Sequence, residues 1–338
     1  MIFLLQKTLI FTIPLLIVAL AGVFAERSGI INIALDGIMI FGAFVGALGA
    51  LLLRGNPFFV DHNQLTFILA MLIAAVAGGL FSLLLSFSAI KLKADQTIGG
   101  TALNMLAPAI ALFIIKVFFS KDMLEMQMAP DSTGKMNDFG FVILNDDLGP
   151  VGSVFFDKAY ISTFICIGLF IVLSILIYKT KTGHHLRACG EHPHAAASVG
   201  INVNRMRYLG TTISGCLAGL GGYVYIATVA NGTASGAVAG MGFLALAIMI
   251  FGNWKPLGIA LGSLLFGFLK CLGVIYSQIS IPINGQDVYF LKDLDLPMYF
   301  YNLIPYVAVL VVLAFTSKRS RAPKAEGIPY DKSARESR

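Results

Sequence analysis

Charged residues are scarce in this chain. Only 12% of its 338 residues are Asp, Glu, Lys or Arg, whereas soluble domains carry about 25%. Apolar residues make up 57% of the chain, and the mean hydropathy is +0.82. A soluble core could not bury this much apolar surface, so the composition excludes an ordinary soluble protein and predicts a polytopic membrane protein.

Several kinds of chemical site are also missing. The four cysteines are widely separated and form no C-x-x-C pair, which predicts neither a disulfide framework nor a zinc site. No G-x-x-x-x-G-K-[ST] motif occurs, so we do not expect the chain to hydrolyse nucleotide by itself. No arrangement of Ser, Cys or carboxylate residues indicates an enzyme, and no cofactor is predicted. His192 and His194 lack further ligands at a suitable spacing, so no metal site is predicted.

The net charge of +6 would suggest a nucleic-acid partner in a soluble protein. Here the Lys and Arg residues lie in loops and in the C-terminal tail, so membrane topology explains them and no nucleic acid is expected. If the N-terminus lies outside the cell and the C-terminus inside, most of these cations fall in cytoplasmic segments. The positive-inside rule therefore favours this orientation.

The apolar residues form long continuous runs. A membrane-spanning helix needs about 20 apolar residues, so the sequence predicts an all-α polytopic membrane protein with about nine transmembrane helices (eight to ten). The run Gly236–Phe251 is short for a span, which favours a re-entrant or half helix. The predicted spans are Phe3–Phe24, Ile30–Leu53, Thr66–Ile90, Gln96–Phe119, Tyr160–Tyr178, Tyr208–Val229, Gly236–Phe251, Leu257–Tyr276 and Pro297–Phe315.

We expect one transmembrane domain over residues 1–316. Within it, residues 120–158 are predicted to form a polar external loop, and residues 179–207 a basic cytoplasmic loop. Residues 317–338 are basic and polar, which predicts a flexible cytoplasmic tail.

A short internal repeat indicates two related halves. The pentapeptide IMIFG occurs at Ile38–Gly42 and at Ile248–Gly252, in opposite directions through the membrane under this topology. The segments Asn104–Pro108 and Asn302–Pro305 each carry an Asn shortly before a Pro. Inverted repeats with interrupted helices are typical of transporters, whose substrate path lies between the halves. Five apolar residues also match by chance, so the repeat remains a hypothesis.

Few polar residues lie at membrane depth, where an unpaired polar group is costly. Two interpretations stay open for them, hydrogen bonding between helices or the lining of a path for a polar solute. Proton-coupled carriers usually place carboxylates or His near the middle of the membrane. Asp36 is the only acidic residue well within a span, and it lies near the start of that span, so a proton relay has little support. The candidate pathway residues are Asn32, Asp36, Thr101, Asn104, Asn231, Asn253 and Trp254.

The central loop carries its own helix signal. Pro193 suits a first helical position, Ala195–Ala197 are strong helix formers, and Gly200 suits a stop just past the end. A small capped helix on the cytoplasmic side suggests a surface that is presented to a soluble partner.

Three stretches of this chain resemble a known family. They are ERSGIINIALDGIMIFGA (Glu26–Ala43), GHHLRACGEHPHAAASVGINVNRMRYLGTTISGCLAGLGG (Gly183–Gly222) and GMGFLALAIMIFGNWKPLG (Gly240–Gly258). Together they resemble the permease subunits of bacterial ABC importers for branched-chain amino acids, simple sugars and nucleosides. ADQTIGGTALNML (Ala94–Leu106) and APKAEGIPYDK (Ala322–Lys332) look most like the nucleoside type, which depends on a basic membrane lipoprotein.

The resemblance implies a non-catalytic permease subunit that moves nucleosides through a bacterial cytoplasmic (inner) membrane. It implies a cytoplasmic ABC ATPase, a second, paralogous permease and an extracytoplasmic substrate-binding lipoprotein as partners, in addition to membrane lipid. Sugars or branched-chain amino acids are the alternative cargoes, and an ion-coupled secondary carrier is the alternative machine. Asp36 stands where many relatives carry Glu, which leaves the partner of this carboxylate open.

By the same resemblance, the helix from about His192 to Val199 is the coupling helix that docks on the ATPase. The residues that match its pattern are Glu191, Pro193, Ala195, Ala196, Ala197 and Gly200.

Overall fold

The computed structural model describes residues 2–126, 141–142, 152, 156, 159–276, 281–283, 286–288, 297–316 and 321–331. Most of them are helical. The helices are α1 (Ile2–Glu26), α2 (Leu35–Arg54), α3 (Pro57–Asp61), α4 (Asn63–Ile90), α5 (Gln96–Phe119), α6 (Ile161–Lys179), α7 (Lys181–Glu191), α8 (Pro193–Ser198), α9 (Val203–Thr228), α10 (Met241–Phe251), α11 (Pro256–Ile275) and α12 (Met298–Thr316).

Seven of these helices are long and apolar enough to cross a membrane, namely α1, α2, α4, α5, α6, α9 and α11. Two shorter apolar helices, α10 and the segment Tyr299–Val312 of α12, occupy the positions of the other two predicted spans. The prediction of an all-α polytopic membrane protein is confirmed. Gly236–Phe251 holds a helix of only 11 residues, so the expectation of a half helix there is also confirmed.

Several helices begin at side chains that satisfy free backbone N–H groups. The Asp95 carboxylate accepts hydrogen bonds from Thr97 N and Ile98 N at the start of α5. Asn202 caps α9 through Arg205 N at 3.0 Å. Pro256 occupies the first turn of α11, where its missing N–H costs nothing.

Helix α9 lies at the centre of the fold, packed against α1, α2 and α4. Small residues let the backbones meet. A Cβ on Gly219 would lie 2.4 Å from the carbonyl oxygen of Ala74, and one on Gly42 would lie 2.3 Å from the Cα of Gly219. Close backbone approach is how helices gain packing energy where lipid removes the hydrophobic driving force.

The contacts between helices repeat in an inverted pattern. Helices α1, α2, α4 and α5 correspond to α9, α10, α11 and α12. When each helix is replaced by its counterpart, the packed pairs α4–α9 and α2–α9 become α1–α11 and α1–α10. In the same way, the pairs α2–α4 and α2–α5 become α10–α11 and α10–α12. All eight of these pairs pack together. The packing therefore supports the repeat that the IMIFG pair suggested. The pentapeptides themselves are not equivalent, because Ile38 follows Leu35 by three residues and Ile248 follows Met241 by seven.

Each half of the repeat contains a non-helical segment that runs in among the helices and then continues as a helix. The first half-helix unit is residues 27–54, in which helix α2 begins only at Leu35. The second half-helix unit is residues 229–251, which ends with α10. The predicted span Ile30–Leu53 therefore begins five residues too early, because Ile31 N donates to the Gln96 side chain (2.7 Å) rather than to a helical carbonyl.

Both units begin their helices at about mid-depth. Asn32 Nδ2 donates to Ser214 Oγ at 2.9 Å, and Ser214 lies 11 residues beyond the start of α9 at Val203, or about 16 Å along its axis. Helix α10 has 11 residues, which is also about 16 Å, or half of a bilayer core about 30 Å thick.

The Lys- and Arg-rich segments gather at one end of the helices, which we call the basic end. It comprises the ends of α1, α4 and α6, the starts of α5, α9 and α11, helices α7 and α8, and residues 321–331. This last segment is not a loose end. Ala325 N donates to Gly190 O at 2.8 Å and Gly327 N to Gly29 O at 3.3 Å, so the described part of the predicted flexible tail is docked.

Three two-stranded antiparallel sheets are present among the described residues. β1 (Leu124–Glu125) pairs with β4 (Thr233–Ala234), β2 (Phe141–Val142) with β3 (Ala159–Tyr160), and β5 (Ile281–Ile283) with β6 (Gln286–Val288). β1 connects the start of the predicted external loop to the second half-helix unit. Most of that loop, 120–158, lies outside the described residues.

Candidate functional site

The two half-helix units meet at the starts of their helices. The Asp36 carboxylate, in the first turn of α2, accepts a hydrogen bond from Gly242 N in the first turn of α10 at 2.9 Å. Phe243 N also hydrogen-bonds to this carboxylate. Asp36 thus acts as an N-cap for a helix 206 residues away, and its negative charge faces the positive end of the α10 dipole.

This contact requires a glycine. A Cβ on Gly242 would lie 2.4 Å from the Cα and the N of Asp36, so any larger residue would separate the two units. The partner of Asp36, which the sequence left open, is therefore the backbone of the opposite half.

Asn104 braces the first unit from helix α5. Its side-chain oxygen accepts from Gly37 N at 2.7 Å, and its nitrogen donates to Ile33 O at 2.9 Å. One amide therefore satisfies backbone groups on both sides of the point where the non-helical segment becomes α2. Non-helical backbone survives at membrane depth only when such partners exist.

Tyr306 and Lys270 brace the second unit in the same way. Tyr306 OH donates to Ala239 O at 2.8 Å, and Lys270 Nζ lies 3.4 Å from the same oxygen and 3.3 Å from the Tyr306 hydroxyl. Ala239 precedes the start of α10 by two residues, as Ile33 precedes the start of α2. Tyr306 lies on α12, the counterpart of α5, so the inverted repeat extends to these braces.

The structure brings three of the seven candidate pathway residues together. Asn32, Asp36 and Asn104 lie within or against the first half-helix unit, and Asn32 is fully buried. The side-chain oxygen of Asn32 is buried without a hydrogen-bond partner. All three side chains hold backbone or neighbouring side chains in place, which is the interhelical interpretation of these polar residues.

The other four candidates lie elsewhere. Thr101 is exposed on α5 and bonds back to Thr97 O and Ile98 O of its own helix. Asn231 is exposed in the turn after α9, at the end of the fold opposite the basic end. Asn253 and Trp254 lie at the basic end, so neither is near the meeting point of the half helices.

Trp254 closes the basic end of the second unit. Its indole nitrogen donates to the Glu26 carboxylate at 2.6 Å, and both residues are buried. Its carbonyl oxygen accepts from the Tyr178 hydroxyl. Glu26 was not a predicted site residue, since a single carboxylate at the end of an apolar run has no sequence signal that names a partner 228 residues away.

Lys270 was also missed as a structural brace. The residue is 7% exposed, and its ammonium group is turned inward. Lys116, the other lysine deep in an apolar run, is instead exposed and pairs with Asp122 at 3.1 Å. The difference depends on Tyr306 and the carbonyl of Ala239, which the sequence does not place beside Lys270.

The predicted coupling helix is present as α8, with Pro193 in its first turn. Its end is a Schellman motif, in which Gly200 N bonds to Ala197 O and Ile201 N to Ala196 O, and Gly200 has φ +87°. Glu191, just before it, pairs with Arg27 at 3.3 Å. A second helix, α7, precedes it and was not predicted.

The faces of α8 differ. Ala196 is 3% exposed and packs with Cys189 and Val203, whereas Ala195 and Val199 point outward. A small residue at position 196 is therefore required by the loop's own packing. The outward face is the one available to another protein.

The docked segment 321–331 joins these parts. Arg321 N donates to Asn253 Oδ1 at 2.9 Å, and Arg207 Nη1 donates to Ile328 O at 3.0 Å. Burial raises the pKa of Glu326 to about 7, while Arg27 acts in the opposite direction.

Among the described residues, no group of three or more His, Cys, Asp or Glu residues could hold a metal ion.

Comparison with known proteins identifies relatives along nearly the whole chain. The chain is 38% identical over 329 residues to the guanosine ABC transporter permease protein NupQ of Bacillus subtilis, which covers 97% of this chain and 96% of the relative. It is 36% identical to the nucleoside ABC transporter permease protein NupC of Lactococcus lactis, over 96% of this chain and 95% of the relative.

A more distant relative is the guanosine ABC transporter permease protein NupP of Bacillus subtilis, at 25% identity over 81% of this chain and 74% of the relative. No solved structure matches the chain. Residues 4–314 match the model of a family described as the permease component of branched-chain amino acid transport systems. The chain, a multi-pass membrane protein with two inverted half-helix units, therefore belongs to this family of permease components.

Proposed function

We propose that this chain is the permease subunit of a bacterial ABC importer that carries nucleosides across the cytoplasmic membrane. The observation that carries the proposal is the similarity, over almost the full length of both chains, to permeases named for guanosine and for nucleosides. The chain itself is not an enzyme, since ATP hydrolysis in such transporters belongs to a separate subunit.

A second, paralogous permease is the proposed neighbour in the membrane. Bacillus subtilis has two guanosine permeases that match this chain, NupQ at 38% identity and NupP at 25%. This chain corresponds better to NupQ, so its partner would be a chain of the NupP kind. An ABC ATPase on the cytoplasmic side and a substrate-binding lipoprotein outside complete the proposed assembly.

The basic end faces the cytoplasm in this proposal, as the positive-inside rule requires. The outward face of α8, with Ala195 and Val199, then presents an exposed surface to the ATPase. Arg27 and Glu191 tie this region to the end of α1, so a push on α8 would reach the first half-helix unit.

The proposed path runs beside the meeting point of the two half helices, where transporters of this architecture bind their substrates. Asp36 and Asn104 stabilise the helices beside this path rather than contact the substrate, because their side chains are hydrogen-bonded to backbone groups. Thr101 and Met105 lie on the exposed side of α5 and would face the path or the second permease. We place Asn231, Asn253 and Trp254 outside this path, because each lies away from the meeting point of the half helices.

The test of the cargo is uptake of labelled guanosine, uridine and ribose by cells that lack this chain and by complemented cells, with and without ATP depletion. We expect ATP-dependent nucleoside uptake that unlabelled ribose does not reduce. Uptake of ribose or of a branched-chain amino acid instead would support an ABC importer but contradict nucleosides as its substrate. Uptake that survives ATP depletion but collapses with the proton gradient would contradict an ABC importer.

The test of the coupling surface is the pair Ala195→Asp and Ala196→Asp. Ala195→Asp places a charge on the outward face, so we expect a folded chain that no longer couples ATP hydrolysis to uptake. Ala196→Asp buries a carboxylate among apolar side chains and should instead lower the amount of folded protein.

Asn56→Asp is the matched control for these two variants, because it adds the same charge at the opposite end and keeps the oxygen that caps α3. Normal uptake by Ala195→Asp at normal expression would refute this coupling surface.

A further inference from the structure

An open basic cavity lies at the basic end, where the ends of α1 and α7, the α10–α11 turn and the docked C-terminal segment meet. It has a volume of about 830 Å³ and is lined by Arg27, Glu191, Asn253, Lys255, Arg321 and Lys324, among others. The cations come from the end of α1, the turn between α10 and α11, and the docked C-terminal segment. Four cations and one carboxylate give the cavity wall an excess of positive charge.

Most of this charge has no internal partner. Arg27 is paired with Glu191 at 3.3 Å. In the described part of the chain, no acidic side chain forms an ion pair with Lys255, Arg321 or Lys324, and all three are exposed. Like charges that converge on one cavity repel one another, and an anion in the cavity would remove that repulsion.

The backbone of the α10–α11 turn has an unusual, fixed conformation beside the cavity. Asn253 and Trp254 both have positive φ angles, +52° and +55°, in the turn that leads to Lys255. Two consecutive non-glycine residues in this conformation are costly and persist only when the surroundings fix them. Here the buried Trp254–Glu26 bond fixes one side of the turn, and the bond from Arg321 N to Asn253 fixes the other.

The position of the cavity favours a lipid over a soluble anion. Lys255 immediately precedes the first turn of α11, so it stands at the end of a helix that is long and apolar enough to span a membrane. From there an exposed apolar stripe runs up α11. It consists of Leu257, Leu261, Leu264 and Leu265, which are 74%, 60%, 48% and 42% exposed. Acyl chains could lie along this stripe while a headgroup phosphate enters the cavity, and basic pockets between helices on the cytoplasmic side suit such headgroups.

We propose that this cavity binds the phosphate headgroup of an anionic phospholipid, with Lys255, Arg321 and Lys324 as the contacts and the leucine stripe of α11 as the seat of its acyl chains. The lipid would join the end of α1, the α10–α11 turn and the docked C-terminal segment. Arg27 and Glu191 connect the same cavity to the region of α8, so occupancy would stiffen the surface that we assign to the ATPase.

The experiment compares two double variants of the full-length chain, each with two exposed lysines neutralised. Lys255→Gln with Lys324→Gln removes two cavity cations. Lys91→Gln with Lys179→Gln is the matched control, because both lysines are exposed at the basic end of other helices and neither lines the cavity. Native mass spectrometry in detergent then measures the affinity for phosphatidylglycerol and for phosphatidylcholine, with and without excess inorganic phosphate.

The wild type and the control should both prefer phosphatidylglycerol, and inorganic phosphate should leave it bound. Each basic residue near a membrane surface contributes about fivefold to the affinity for an anionic lipid. The cavity variant lacks two of them, so it should bind phosphatidylglycerol roughly 10- to 30-fold more weakly. Equal loss in both double variants, or no preference in the wild type, would overturn the proposal. Displacement of the lipid by inorganic phosphate would assign the cavity to a soluble phosphate and overturn the lipid. Because lipid binding is the readout, the cargo has no influence on the result.

Discussion

The two half-helix units share a plan but differ in how they are supported. In the first, one side-chain amide, that of Asn104, braces both sides of the junction, and α2 continues for 20 residues against the glycine-rich faces of α4 and α9. In the second, Tyr306 and Lys270 share the bracing carbonyl, and the helix lasts only 11 residues. The first half also provides Asp36, which caps the second. The first unit is therefore a packed framework, and the second depends on it for the start of its helix.

The docked C-terminal segment adds a link between the units at the basic end. It bonds to Gly29 in the first unit and to Asn253 just after the second. The two units are thus joined at mid-depth by Asp36 and at the surface by residues 321–331. Changes at each joint should have effects of different size.

The largest effect should follow from a disturbance of the first unit's packing. A Cβ on Gly222 of α9 would lie 2.0 Å from the carbonyl oxygen of Met39 in α2, so Gly222→Ala forces the two backbones apart. Overpacking of this kind costs about 1–3 kcal/mol or more. The measurement is the yield of monodisperse protein and its thermal unfolding midpoint in detergent.

Gly168→Ala in α6 is the control for that substitution, since nothing lies within 4 Å of the added Cβ. It should leave the midpoint unchanged or raise it slightly, because Ala is a better helix former than Gly. Equal behaviour of the two alanine variants would mean that α2 and α9 do not touch as described.

The next effect concerns the basic end of the second unit. Glu26→Ala leaves the buried Trp254 indole N–H without its acceptor, which costs about 1–3 kcal/mol. Glu26→Gln keeps an acceptor oxygen and should recover most of the loss. Thermal unfolding of the two variants checks this, and an identical midpoint for Ala and Gln would show that the bond does not contribute.

A smaller loss of stability is expected at the mid-depth contact. Asp36→Ala removes the N-cap of α10 and should cost about 0.5–2 kcal/mol, while Asp36→Asn keeps an oxygen that can accept from Gly242 N. We expect Asp36→Ala to reduce uptake at normal expression and Asp36→Asn to retain most of it. If Asn is as defective as Ala, the charge itself matters for transport, and a purely capping role is wrong.

The effect on the stability of the whole chain should be smallest for the pH dependence of the docked segment, because only that segment responds. The folded pKa of Glu326 is raised to about 7, above its ordinary value of 4.5, so the docked state holds a proton that the free segment releases. Docking should therefore weaken as the pH rises from about 5 to about 7 and change little above that. Hydrogen exchange of residues 325–328, corrected for its intrinsic pH dependence, measures this. Glu326→Gln should remove the dependence, and an unchanged slope in that variant would assign it to another group such as Glu26.

Hydropathy located seven helices that are long enough to span a membrane and the two shorter apolar helices α10 and α12, because each one is a continuous apolar run. The short length of the run Gly236–Phe251 also indicated the short α10. The start of α2 was misplaced, since Ile30–Ala34 is as apolar as a helix and only the contacts to Gln96 and Asn104 show that it is extended. The Asp36–Gly242 contact joins residues 206 apart, and no local pattern encodes such a pair.

The C-terminal tail shows a second limit of sequence reasoning. Its basic, polar composition predicted flexibility, yet docking depends on backbone groups of Ala325 and Gly327, which composition does not describe. The coupling helix was predictable because Pro193 and Gly200 mark its two ends locally. The inward direction of Ala196 was not, since it depends on packing against α7 and α9.

The most direct test of ATP-driven nucleoside import is uptake of labelled guanosine into proteoliposomes that contain purified subunits. We expect uptake only when this chain, the paralogous permease and the ATPase are present together with the binding protein and ATP. Uptake that persists without the ATPase, or that requires an ion gradient in place of ATP, would contradict it.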